Sequence, residues 1–437
     1  RERMTCASAS RRFIFDIVSA ARAAAPLAAG AHRQGATGQL PTSPGLFVSN
    51  SCHRGAPFQH RRHSPPPPPP PLVSRGARGL STRAMAAAPP NPPHGVPTTL
   101  LVVTKPDLLA SAPLARITSG TDPRFPTARF DVRVATKLED FPREITHERD
   151  GNPVALLWWF GDPGVMGGVL RSPCAERVAW IHSGSAGVEH ILDTQPEVRA
   201  HPAPMTNARG AFSASLGEWA IFASMWFAKK VNAMRKSQAA GRWMRDTVGM
   251  LKGKTMSIVG YGDIGRACAD RAKAMGMRVV ALRRDPRKFA PADERVVDEM
   301  LPLTDLRRAL EEGDFVVLAL PHTPQTEKMI DAGAVAAMKR TGVLINVGRG
   351  AVVDEDALVD ALREGRIGGA GLDVTAVEPL PDGHPFYSLD NVLMSFHCAD
   401  LTDDYYELTM ETFVEHARAY VGDGGGGWNL VDKTAGY

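Results

Sequence analysis

Residues 254–265 run Lys-Thr-Met-Ser-Ile-Val-Gly-Tyr-Gly-Asp-Ile-Gly. The stretch Lys254–Gly260 is a short apolar run of strand length. Gly260–Gly265 (GYGDIG) follows it and opens a helical pattern over residues 264–275, after which Met277–Leu282 is again apolar. A lone GxGxxG is a weak signal. Placed after a strand and at the start of a helix, it marks a dinucleotide-binding turn. Each glycine then has a task. Gly260 makes the tight turn, Gly262 lets the backbone approach a pyrophosphate, and Gly265 lets the helix pack closely on the strand. The free N–H groups at the helix start, around Asp263 and Ile264, can hold phosphate oxygens.

The cofactor follows from the end of the second strand. A site for NAD places Asp or Glu there, to bond the ribose 2′-OH. This chain has Leu282-Arg283-Arg284-Asp285-Pro286. Two guanidinium groups suit the 2′-phosphate of NADP, so NADP is the expected cofactor. NAD stays possible if Asp285 turns inward.

Outward from this stretch, apolar runs recur at Asp314–Leu320, Val343–Gly348, Gly369–Val374 and Val392–Phe396. Before it they lie at Thr99–Thr104, Val154–Phe160 and Val178–His182. Continuous apolar runs alternating with helical spacers imply parallel sheets covered on both faces. The expected fold class is α/β with two doubly wound parallel-sheet domains, a Rossmann-type cofactor domain inserted in a flavodoxin-like substrate domain. The expected boundaries are 96–207 for the first part of the substrate domain, 208–395 for the cofactor domain and 396–437 for a return to the substrate domain, with a helix near 402–421. Residues 210–230 are apolar almost all round, so that helix must be buried in a core or a subunit interface.

The charge is uneven. Residues 1–84 carry 12 arginines, no lysine and two acids, a net +10, which leaves the remainder at −6 within a total of +4. A mildly acidic folded part disfavours nucleic-acid binding. Residues 1–95 are rich in Ala, Arg, Pro, Ser and Gly, with seven prolines at Pro65–Pro71, and are expected to be disordered. Such a leader is either an organelle (for example chloroplast) transit peptide, or untranslated sequence ahead of a start at Met85, which would leave the protein cytosolic. No apolar run is long enough to span a membrane. The five cysteines form no CxxC pair, which argues against disulfides and structural metal.

Three segments carry the chemistry: Ile345–Gly350 (INVGRG), Gly371–Val374 with Glu378-Pro379-Leu380, and Ser395-Phe396-His397. All fall at strand ends, where open α/β sheets bind ligands. Reduction of a carbonyl by hydride needs an acid to protonate the oxygen, and His suits neutral pH. A carboxylate beside it raises its pKa, and an Arg can clamp a substrate carboxylate.

With GYGDIG, Leu320–Ile330 (LPHTPQTEKMI), Asn346–Leu358 (NVGRGAVVDEDAL), GAGLDV followed by EPLP, and the closing NLVDKTAGY, residues 100–437 resemble the D-isomer-specific 2-hydroxyacid dehydrogenase family. The resemblance implies Arg349 as substrate-binding and catalytic, Glu378 as the partner of His397, and His397 as acid/base. It implies a carboxylate cradle from the backbone N–H groups of Ala186 and Gly187. Asp373 would hold the nicotinamide carboxamide, and Val347, Gly348 and Arg349, with Leu320, Pro321 and His397, would line the cofactor. The chain departs from the family at Phe396, where Pro is usual, and at Cys398-Ala399-Asp400, where a small apolar run is usual.

The expected activity is NADPH-dependent reduction of a small 2-oxo acid, glyoxylate or hydroxypyruvate, by a homodimer. The competing reading is an NAD(H)-binding regulator or corepressor on the same fold, which Arg349, Glu378 and His397 oppose. A Cys398–His397 nucleophile is disfavoured, because neighbours in extended chain point to opposite sides.

Overall fold

The computed structural model describes residues 87–437, apart from 94, 289, 425 and 426. Almost all of the low-complexity leader therefore lies outside the described residues. Of its last residues, Pro89 and Pro92 are buried. Proline gives up little chain entropy on ordering, so these two rings pack although their neighbours stay exposed.

The first sheet has five parallel strands: β1 (Thr98–Thr104), β2 (Phe130–Ala135), β3 (Val154–Trp159), β4 (Val178–Ser183) and β5 (Met205–Asn207), in the order β2-β1-β3-β4-β5. Every residue of β1 and β3 is buried, as expected of strands covered on both faces. Side chains alternate between two cores. Leu101, Val103 and Leu156 face one, while Leu100, Val102, Leu157 and Trp159 face the other. The second core is closed by the helix Tyr405–Val421, whose Phe413 and Tyr420 stack on Trp180 at 5.6 and 5.2 Å between ring centroids. Such pairs add about 0.5–1.5 kcal/mol beyond area burial. The helix ends on Gly422 (φ 80°), with the Asp423 N–H returning to Arg418 O at 2.9 Å, a left-handed cap that glycine adopts without strain.

The second sheet holds β6 (Thr255–Val259), β7 (Arg278–Arg283), β8 (Glu299–Pro302), β9 (Phe315–Leu318), β10 (Val343–Asn346), β11 (Gly369–Leu372) and β12 (Val392–Met394). Its order is β12-β11-β10-β9-β6-β7-β8, all parallel. The chain direction across the sheet reverses between β6 and β9, so the GYGDIG turn stands at the switch point where such sheets bind ligands.

The helix Ser213–Ala228 lies on the helix Asp263–Ala274, and its Leu216, Ala220 and Ala223 belong to the same buried core as Cys268, Ala269 and Ala272 of that helix. A Cβ on Gly217 would meet Ala267 O at 2.9 Å, so the glycine sets that close approach. Ala223 and Trp219 of the same helix also lie against Gly371 of β11, and Phe227 against Gly369. Phe222 and Met225 remain 46% and 36% exposed, leaving apolar surface available for a further interface.

Candidate active site

The glycine turn fits a dinucleotide in three separate ways. Gly260 has φ 101°, and a Cβ there would stand 2.6 Å from Ala319 O, so both conformation and space demand glycine. A Cβ on Gly265 would run into Gly260 O and Ile258. Gly262 is different: a Cβ there would meet nothing within 4 Å. The protein itself does not need that space, and the absence of a side chain keeps the backbone open to a phosphate. The helix from Asp263 has its first intrahelical bond from Arg266 N to Gly262 O at 2.9 Å. The N–H groups of Asp263 and Ile264 therefore remain for an anion. The Asp263 side chain pairs with Arg209 at 3.2 Å.

At the end of β7, Arg283 donates to the Lys288 carbonyl and Arg284 to the Tyr437 hydroxyl. Asp285 is paired with Arg287 at 2.8 Å. Opposite, a Cβ on Gly348 would lie 2.6 Å from Leu320 O. The backbones at Leu320 and Gly348 thus run side by side at the ends of β9 and β10, with Val347 buried and Pro321 half-buried next to them.

Arg349 leaves β10 on an Asn-anchored turn. The Asn346 side chain accepts from Gly348 N and donates to Arg349 O, both at 3.0 Å. The guanidinium then reaches the loop after β4. Its Nε and Nη2 donate to Glu189 at 2.9 and 3.3 Å, and its Nη1 to Gly348 O at 2.9 Å. It packs against Gly187, where a Cβ would collide with it. Of five guanidinium donors, two have no partner among the described residues, one on each terminal nitrogen, and these can grip a carboxylate. The loop N–H groups of Ala186 and Gly187 have no hydrogen-bond partner among the described residues. The loop is pinned instead by Asn207 Nδ2 to Ala186 O at 2.6 Å and Ser185 Oγ to Gly187 O at 2.5 Å.

His397 Nδ1 donates to Glu378 Oε2 at 2.7 Å. This bond is the largest influence holding the imidazole above its ordinary pKa, working against partial burial, with Asp373 adding to the rise and Arg349 opposing it. Burial acts to raise the Glu378 carboxyl, but the bonds from His397 and Thr375 N win and leave it low. Both shifts favour the ion pair, so the outward Nε2 carries a proton to higher pH than a free histidine would.

The turn bearing His397 departs from expectation. β12 stops at Met394 instead of running to Phe396, because Phe396 and His397 both take left-handed backbone (φ 54° and 55°). Proline, fixed near φ −65°, cannot occupy 396 in this geometry. Asp373 holds the turn: its carbonyl accepts from His397 N at 2.6 Å, and its Oδ1 accepts from Ser395 Oγ at 2.7 Å and from the N–H groups of Cys398 and Ala399 at 3.1 Å. The chain at 397–398 is therefore not extended, and the alternation argument against a Cys–His pair does not apply. The pair is absent for another reason. Cys398 Sγ bonds Phe396 O at 3.3 Å while His397 is engaged by Glu378, and burial with nearby acids pushes the thiol up. Trp158 and Trp159 are buried core residues.

A dinucleotide turn at a switch point, with a histidine–carboxylate pair and an arginine at neighbouring strand ends, defines the class of nicotinamide-dependent oxidoreductases. Comparison with known proteins narrows it. Residues 221–399 match the family model for the D-isomer specific 2-hydroxyacid dehydrogenase NAD binding domain. A glyoxylate reductase of Thermococcus gammatolerans is 32% identical over 288 residues, 62% of this chain and 81% of that protein. A glyoxylate reductase of Pyrococcus furiosus is 35% identical over 300 residues, 67% and 86% respectively. A D-isomer specific 2-hydroxyacid dehydrogenase of Xanthobacter autotrophicus, solved with NADPH and MES, superposes with a TM-score of 0.62 at 25% identity, covering 78% of this chain and all of that one. The chain belongs to the D-isomer specific 2-hydroxyacid dehydrogenase family. It is an oxidoreductase that binds a nicotinamide cofactor. Among the described residues, no helix is long and apolar enough to cross a membrane.

Proposed function

We propose that the chain is an NADPH-preferring reductase of small 2-oxo acids, taking glyoxylate or hydroxypyruvate to glycolate or glycerate. The observation that carries this reading is the 2.7 Å His397–Glu378 pair, electrostatically coupled to an Arg349 that keeps two donors without a partner among the described residues. NADPH is favoured by Arg283 and Arg284, which stand where an acid would serve NAD, and by the NADPH bound to the Xanthobacter relative. The small substrate is suggested by the relatives named glyoxylate reductase.

The bound reduced nicotinamide would supply hydride to C2 of the substrate. Arg349, through those donors, and the N–H groups of Ala186 and Gly187 grip the carboxylate and fix how C2 is presented. Glu189 keeps the Arg349 fork in place. His397 holds a proton at Nε2 and gives it to the carbonyl oxygen as negative charge builds there, and Glu378 stabilises the imidazolium beforehand. We place the homodimer contact on the exposed apolar surface of Phe222, Met225, Met234, Trp243 and Met250, of which Trp243 is 94% exposed. Aromatic residues and methionines of this kind are enriched where proteins meet.

The test is initial rates with glyoxylate, hydroxypyruvate, pyruvate and hydroxyphenylpyruvate, each with NADPH and NADH. A preference for the aromatic acid overturns the small substrate. Equal or better rates with NADH overturn the cofactor preference. No turnover with any combination, despite nucleotide binding, returns the regulatory reading to first place.

A further inference from the structure

The last segment of the chain is rooted in the first domain. Leu430 bridges Thr206, and Val431 N donates to Met205 O at 2.8 Å. The Lys433 ammonium is plugged into carbonyls of Val198, His201 and Ala203, and its own carbonyl accepts from Arg199 at 2.8 Å. From there the chain folds into a closed turn. Asp432 Oδ1 accepts from the N–H groups of Thr434 and Ala435 at 3.0 and 2.9 Å. Gly436 N returns to Asp432 O at 2.8 Å, and Asp432 N donates to Tyr437 O at 2.9 Å. That turn aims Tyr437 at the cofactor domain. Its hydroxyl accepts from Arg284 Nη2, and the Arg284 guanidinium carbon lies 5.8 Å from the centre of its ring.

Arg284 is otherwise an exposed side chain at a strand end, with many rotamers to give up on binding a ligand. An aromatic ring and a hydroxyl held by another domain remove much of that freedom in advance, while using one of five guanidinium donors. We propose that Tyr437 is a positioning residue for cofactor selection: it presets Arg284 for the 2′-phosphate of NADP. The inference rests on the reading of Arg283 and Arg284 as the phosphate readers, and deepens it. It gives the closing turn a role in nucleotide choice that the glycine turn and the strand end do not supply alone.

The experiment is direct binding, followed by nucleotide and protein fluorescence on the full chain, for NADPH and NADH. The variants are Arg284→Ala, Tyr437→Ala, Tyr437→Phe and the Arg284→Ala/Tyr437→Ala double variant. Arg284→Ala should weaken NADPH about tenfold or more with NADH unchanged. Tyr437→Ala should weaken NADPH by about 3–10-fold with NADH held within about twofold. Tyr437→Phe, which keeps the ring and loses only the hydroxyl, should fall between wild type and Tyr437→Ala. The double variant should bind NADPH no more weakly than Arg284→Ala alone, because Tyr437 acts through Arg284. If Arg284→Ala is selective but both Tyr437 variants leave NADPH binding unchanged, or lower both nucleotides equally, the positioning role is wrong and the phosphate reading survives. If Arg284→Ala itself is unselective, both fall together.

Discussion

Replacing Glu378 by Gln isolates the charge of the proposed dyad from its geometry. Gln can still accept from His397 Nδ1 across the present 2.7 Å, so the imidazole keeps its orientation and loses only its anionic partner. A hydrogen bond to a charged group contributes about 1.5–3 kcal/mol, and one between neutral groups about 0.5–1.5 kcal/mol. The difference, about 1 kcal/mol, corresponds to somewhat under one pH unit at roughly 1.4 kcal/mol per unit. The side chains of His397 and Glu378 are 47% and 36% exposed, so solvent screening trims this further, to about half a unit. The sign follows from the direction of the shift. Glu378 raises the His397 pKa, so the acid form needed for reduction persists to higher pH in the wild type. In Glu378→Gln the alkaline limb of kcat/KM for reduction should move to lower pH, by about half a unit. The pair's contribution to stability has a window from the same shifts. It is present above the ordinary carboxylate value of 4.5 and is lost as pH rises through the raised His397 value. An alkaline limb that stays in place in the variant refutes the dyad, whatever happens to the rate at neutral pH.

Three further outcomes are expected. His397→Ala should cut kcat by about 10²–10⁴-fold and leave the NADPH dissociation constant within error; a loss of nucleotide binding would make the histidine structural. Glu189→Ala should raise KM for the 2-oxo acid about tenfold or more and lower kcat, because Arg349 loses the carboxylate that fixes its fork; an unchanged KM would sink that role. Phe396→Gly should melt at the same temperature as wild type or higher and Phe396→Val lower, since left-handed backbone costs a non-glycine residue about 1–2 kcal/mol, and the reverse order would show that the turn at 396 is not left-handed in solution.

How much of the fold was legible depended on where each strand sits in its sheet. The interior strands β1, β3, β4, β6, β7, β9, β10 and β11 are mainly apolar runs, because both faces are covered, and each was visible as such. The three strands with no such signature, β2, β5 and β8, are all edges. β2 alternates buried ends with the exposed Arg133 and the half-exposed Asp131, β5 is three residues long, and β8 ends in Pro302. Short, charged or proline-ended edges protect a sheet from further pairing, and those devices erase the pattern that reveals a strand. Beyond the apolar stretch that ends at residue 230, a second helix went unread: Lys230 has φ 53° and Val231–Ala239 follows it, with no glycine or proline to announce the break.

In the candidate site, the residues proposed for their own chemistry were legible by type, whereas Glu189, which holds Arg349, was not. A histidine, an arginine and a glutamate at strand ends declare themselves by type. Glu189 lies 160 residues from Arg349, and nothing local separates it from any helix-starting acid. Asp373 carried a ligand role by resemblance, yet its Oδ1 takes three hydrogen bonds from the chain itself. That explains how two consecutive left-handed residues persist without glycine: strain of this kind survives only where neighbouring bonds over-determine the turn. It also accounts for the tolerance of Phe396. The ring faces solvent beside Tyr387, 63% exposed, so its identity matters less than its backbone, and what position 396 must supply is a residue other than proline.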